Sequence, residues 1–155
     1  MLTNTDLVRD FERNRRIVQA QCDGLDHADS LVQPPFAANC LNWTIGHLVM
    51  HRHKVLDLVG ADHDIPAFER YDRESDPVTG DGPGVRPLAD LLAALDDSQI
   101  RLSAALEGAD LAADRDDERF PTVGHRARFY YFHDTYHTGQ VELLRALAGR
   151  TDKVI

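Results

Sequence analysis

Residues 129–147 read FYYFHDTYHTGQVELLRAL, and the fold turns on how this stretch is read. Phe129, Tyr130, Val141, Leu144 and Leu147 recur at helical spacing, on the face that also carries His133 and His137. Residues four apart stand one turn apart on the same side of a helix. Both imidazoles therefore point toward a core. Two neutral imidazoles so placed have the bite to share one metal ion. The alternative is a pair of core histidines held by hydrogen bonds, since an HxxxH spacing also arises by chance.

A third histidine bears on that choice. Residues 42–56 read NWTIGHLVMHRHKVL, in which His47 lies beside a stripe of Ile45, Leu48, Val49, Leu56 and Val59. If the two helices pack as neighbours, His47, His133 and His137 converge on one point. Three protein ligands leave a coordination position open, the arrangement of a catalytic rather than a structural site.

The 155 residues suit a single domain over 1–155 with a full hydrophobic core. Apolar residues at 43% and charged residues at 28% are ordinary for a globular protein. The net charge of −9 argues against a nucleic-acid surface, which needs clustered Lys and Arg. No apolar run has the length of a membrane span. Residues 1–14, MLTNTDLVRDFERN, contain no signal-peptide core, so a cytoplasmic setting is expected. Cys22 and Cys40 form no CxxC and read as small buried reduced thiols.

Four amphipathic segments account for most of the chain. Leu7, Phe11, Val18, Cys22 and Leu25 place a first helix over Thr5–Leu25, with Thr3, Asn4 and Thr5 as capping candidates. His27–Cys40 is expected as a connection, because Pro34 and Pro35 forbid a helix across it. Asn42 is the expected N-cap of a second helix running to about Val59, with Gly60 as its stop. Trp43 is expected to pack between helix ends. Ala61–Arg86, rich in Pro and Gly, is long for a helix–helix connection. It is expected as a crossover that makes helices two and three parallel, with a lid over the site as the alternative. A third helix spans Pro87–Leu106, with Pro87 at N1, a leucine stripe and no histidine. A fourth follows Pro121-Thr122 and ends near Gly149. With no period-two runs and no internal repeat, the expectation is an all-α four-helix bundle.

Several bundle chemistries are excluded by pattern. No Glu has a His three residues later, as ferritin-like di-iron sites require. HExxH, GxSxG, P-loop and GxGxxG motifs are absent. A histidine-only mononuclear site is what remains. The GHL around His47, preceded by Trp43, together with His133-x-x-x-His137-x-Gly139-Gln140, resembles the DinB/YfiT-like superfamily of bacterial four-helix bundles. The resemblance extends over nearly the whole chain, in helix count, long crossover and both histidine motifs. It implies an up-down-down-up bundle, a homodimer, and one divalent metal ion, commonly zinc or nickel, on His47, His133 and His137. It further implies a transferase acting through a low-molecular-weight thiol such as bacillithiol or mycothiol on an electrophilic small-molecule substrate. Mycothiol-dependent isomerases of the superfamily often carry an added C-terminal domain. The sequence ends at Ile155, so that specific activity is not expected.

Around those ligands, Gln140 and Asp57 are candidate outer-shell partners for the imidazoles. His51, one turn beyond His47, is a candidate catalytic residue as a proton shuttle, or else lines the pocket or faces the bundle end. His27 and His53 are expected at the surface, and His63 and His125, in or near loops, are given no role. Arg126, Arg128 and Arg145 read either as an anion site or as a solvated helix face. Three imidazoles suit zinc, nickel, copper or iron, and affinity order alone does not choose among them. Two other functional readings stay open: a hydrolase working through hydroxide generated at the metal, and a non-catalytic metal-binding stress or interaction bundle.

Overall fold

The computed structural model describes residues 3–61 and 68–154. Among these the regular structure is helical: α1 (Asn4–Cys22), α2 (His27–Ser30), α3 (Leu41–Leu58), a 3-10 turn at Glu69–Tyr71, α4 (Leu88–Glu107) and α5 (Val123–Leu147). The one β feature among the described residues is an isolated bridge between Asp114 and Thr122. The four long helices are those expected. His63 lies outside the described residues.

Local chemistry sets the boundaries. Thr3 and Asp6 form a reciprocal capping box at the start of α1. Thr122 caps α5 by accepting from the His125 amide. Two expected caps are corrected. Asn42 is not the N-cap of α3: that position is Cys40, whose side chain makes no capping hydrogen bond. Asn42 lies inside the first turn, where its amide donates to the Arg86 carbonyl and to Ser30 Oγ and accepts from Tyr71 Oη. Pro87 is the N-cap of α4 rather than N1. Within the expected connection, Asp26 and Asp29 form a second capping box and start the one-turn α2, a local signal that the apolar pattern does not carry.

Each long helix packs against two others: α1 against α4 and α5, and α3 against the same pair. The apolar core divides into two clusters. One gathers Val18, Trp43, Ile45, Leu48, Leu91, Leu95 and Val141. The other gathers Leu7, Phe11, Val55, Leu56, Leu102, Leu106 and Tyr130. Between them lies a polar layer to which every long helix contributes. Arg52 and Asp134, each 1% exposed, form an ion pair at 2.8 Å. Gln99 Oε1 and the Phe11 carbonyl accept from the same guanidinium, at 3.1 and 3.0 Å. Asn14 donates to the second carboxylate oxygen at 2.9 Å. Four side chains thus satisfy one another across the middle of the molecule, as buried polar groups must.

The described residues between α3 and α4 pack back onto α3. Gly60, at φ +67°, ends the helix in the left-handed region open to glycine. Tyr71, fully buried, seats on Gly46. A Cβ at Gly46 would collide with the Tyr71 ring, so the glycine is a packing requirement in mid-helix. Tyr71 Oη also accepts from the Arg86 amide at 2.7 Å, pinning the far end of the connection.

Candidate metal centre

His47 on α3 and His133 and His137 on α5 meet where those two helices pack. His47 Nε2 lies 3.4 Å from His133 Nε2, and His137 Nε2 lies 3.2 Å from the same atom. The outer nitrogens explain why the Nε2 atoms face inward. His47 Nδ1 donates to the Tyr71 carbonyl at 2.6 Å, and His137 Nδ1 donates to Gln140 Oε1 at 2.8 Å. Each of these two rings therefore presents an Nε2 lone pair to His133 Nε2. His133 Nε2 carries at most one proton and can satisfy only one of them. With all three rings neutral, at least one of these inward lone pairs is left without a donor, and a cation at their centre would satisfy them all. The spacing agrees: nitrogens about 2.0–2.1 Å from a tetrahedral zinc stand roughly 3.3–3.4 Å apart. The donor set and its geometry fit a divalent ion.

The surroundings keep the rings neutral, the form that binds metal. Burial pushes His47 down to about 4, against the opposing pull of the Tyr71 carbonyl. Burial, followed by the neighbouring His137 and His47, pushes His133 down to about 3. His137 is lowered by burial and partly restored by Gln140. Trp43 stacks on His47 at 4.3 Å between centroids and 17° between planes. It does so because it precedes His47 by four residues and shares its face. It stands beside the histidines and so does more than fill a gap between helix ends. The residues Phe36, Trp43, Tyr136, Leu143 and Leu144 wall a cavity of about 490 Å³ that reaches all three imidazoles. A wider depression of about 750 Å³ near Glu69, Arg70 and Arg86 is lined, among the described residues, by no histidine or cysteine.

The remaining sequence candidates sort by position. His51 stacks on His133, with centroids 3.8 Å apart, and its Nδ1 is buried without a partner, as is that of His133. His51 does not line the cavity. Gln140 is the outer partner of His137, as expected. For His47 that place is taken by the Tyr71 carbonyl, whereas Asp57 is exposed in the last turn of α3. His53 packs edge-on against Phe68, and His125 belongs to the α5 cap. His27 opens α2 and reaches Asp81 at 3.7 Å. Arg145 is a structural residue: it is buried, donates to the Gln21 and Asp23 carbonyls at the end of α1, and pairs with Asp152. Arg126 lies over Phe120 and Tyr130. Cys22 and Cys40 are buried and free, and burial pushes the Cys22 thiol up to about 12.

Tyr71 was the functional residue invisible in the sequence, because it contributes a backbone oxygen that any residue type supplies. Trp43 was legible through its four-residue offset from His47.

Comparison with known families agrees with this arrangement. The sequence model of the DinB superfamily matches residues 10–141, which cover both histidine motifs, and the chain belongs to that superfamily. No curated protein matches the chain. No helix among the described residues is long and apolar enough to cross a membrane.

Proposed function

We propose that this DinB superfamily member holds one divalent ion, zinc or nickel, on Nε2 of His47, His133 and His137. We propose further that it joins a low-molecular-weight thiol to an electrophilic small molecule. The observation that carries the reading is the set of three converging nitrogens opening on a cavity of about 490 Å³. A divalent ion there supplies Lewis acidity, favouring the anionic form of a thiol or water beside it.

The chain's own residues do the positioning. The Tyr71 carbonyl and Gln140 fix two ring tautomers. Trp43 and His51 clamp His47 and His133 by stacking. We assign His51 a positioning role, since it contacts a ligand ring and stands away from the cavity. Among the described residues no Asp or Glu lines the cavity, so the hydrolase reading finds no carboxylate base among them.

The wider reading includes an up-down-down-up course of the four long helices. Cross-helix pairs support it: Asn14 with Asp134 and Gln21 with Arg145 run in the same sense, while Gln19 with Leu92 and Asn4 with Leu106 run oppositely. It includes a homodimer, supported by Phe132, Tyr136 and Leu143, large apolar residues exposed on one side of α5. Two free thiols support a cytoplasmic setting.

The test is conjugation of monochlorobimane, an electrophilic reporter, by metal-loaded protein with a panel of small thiols including bacillithiol and mycothiol. The reading expects faster conjugation than in protein-free controls with at least one thiol. No acceleration with any of them removes it.

A further inference from the structure

Arg73 lines the same cavity as the three histidines, and among the described residues it is the one permanently charged side chain that does so. It is exposed, and among the described residues its guanidinium meets neither a carboxylate nor any other acceptor. The adjacent acid, Asp72, turns instead to Lys54 Nζ at 3.7 Å. In a chain of net charge −9, a cation left without a partner at the mouth of a cavity is a local reversal of sign. Its place is not accidental. Tyr71, two residues earlier, is held by its ring on Gly46, its carbonyl on His47 Nδ1 and its hydroxyl on the Arg86 amide. The anchor that orients a candidate ligand therefore also carries Arg73 to the cavity.

Much of the remaining wall is apolar or aromatic, from Phe36, Trp43, Tyr136, Leu143 and Leu144, with Asn39, Thr44 and Gln140 as its polar members. We infer that the cavity takes a small molecule with an aromatic or branched apolar body and a carboxylate, and that Arg73 receives the carboxylate. The planar guanidinium matches a carboxylate in shape and offers paired donors. The volume of about 490 Å³ is that of a small-molecule site. The inference names the substrate class of the thiol-transfer reading above and rests on it. Arg73 becomes a specificity-determining residue that acts on the end of the substrate away from the metal ligands.

Trp43 is the single tryptophan and lies in the cavity wall, so its fluorescence reports occupancy directly. The probes are 4-nitrobenzoate and its neutral counterpart 4-nitrobenzamide, both of which quench tryptophan. Each is titrated into metal-free and zinc-loaded protein, for wild type, Arg73→Met and Arg73→Lys. The inference expects the carboxylate to bind about fivefold more tightly than the amide, a factor suited to an exposed ion pair. That preference should appear with and without zinc and weaken with added salt. It should fall to about one in Arg73→Met and survive in part in Arg73→Lys. Equal binding of the two probes to wild type, or a preference untouched by Arg73→Met, overturns the inference. A preference seen only with zinc and indifferent to Arg73 places the carboxylate on the metal, which overturns the Arg73 assignment and leaves the metal reading standing. An Arg73-dependent preference in a protein that takes up no zinc supports the anion site and removes the metal reading.

Discussion

Replacing Arg52 by Met leaves Asp134 buried and without its cation, and the structure allows the cost to be worked through. Asp134 Oδ2 loses its 2.8 Å partner, while Oδ1 keeps only Asn14. Gln99 Oε1 loses its donor, and the Phe11 carbonyl loses an additional one. Removing one member of a buried ion pair costs about 3–5 kcal/mol. For a chain of this size that corresponds to a fall in Tm of roughly 6–20 °C. The double variant Arg52→Met/Asp134→Leu removes both charges. Asn14 then keeps Thr135 Oγ1 at 2.9 Å, and Gln99 Oε1 is the principal acceptor left unpaired. One such orphan costs about 1–3 kcal/mol, so the double variant should be more stable than Arg52→Met alone. The assay is urea denaturation followed by far-ultraviolet circular dichroism on metal-free protein, which keeps metal linkage out of the comparison. Single-variant losses below about 1 kcal/mol, or single losses that simply add in the double variant, would refute the reasoning.

Four other substitutions and reactions follow from the same contacts. Gly46→Ala forces the Tyr71 ring away from α3 and should cost about 1–3 kcal/mol in denaturant unfolding while weakening zinc binding through the lost His47 contact. Gln140→Met removes the acceptor of His137 Nδ1 and should lower zinc affinity about 10–100-fold in competition with a chromophoric chelator, with stability nearly unchanged. Arg145→Met uncaps the end of α1 and strips donors from two carbonyls, with an expected loss of about 1–3 kcal/mol in the same unfolding assay. Cys22, held protonated by burial up to about 12, should resist iodoacetamide at pH 8 in the native protein and react once the chain is unfolded in urea, as peptide mass mapping will show.

What the sequence discloses and what it withholds divide along physical lines. The four long helices were legible because each carries an apolar stripe several turns long, and burial against neighbours is what fixes such helices. The three histidines were legible because two share a helix face and the third shares a face with Trp43. The polar layer was not. Arg52 follows His51 directly and Asp134 follows His133, and nothing in the spacing of an isolated Arg or Asp says that it will be enclosed. Its identity as a core residue depends on three other helices arriving at the same height. The same limit hid Arg145, which looks like one more solvated arginine until α1 ends against it. The site's dependence on the segment between α3 and α4 was hidden for a different reason: what Tyr71 contributes to His47 is a carbonyl. The misplaced cap at Asn42 shows the reverse case, where a good capping residue is drawn into a buried network of Ser30, Tyr71 and Arg86 instead.

The most direct test of the central claim is metal stoichiometry by mass spectrometry, on untagged protein loaded with zinc or nickel and freed of excess ion. Wild type is compared with His47→Ala, His133→Ala and His137→Ala, each checked for native helicity. The account predicts about one equivalent in wild type and loss of the ion in every variant. No bound metal in wild type, or full retention in the folded variants, would contradict it and leave the three histidines as packing residues of the core.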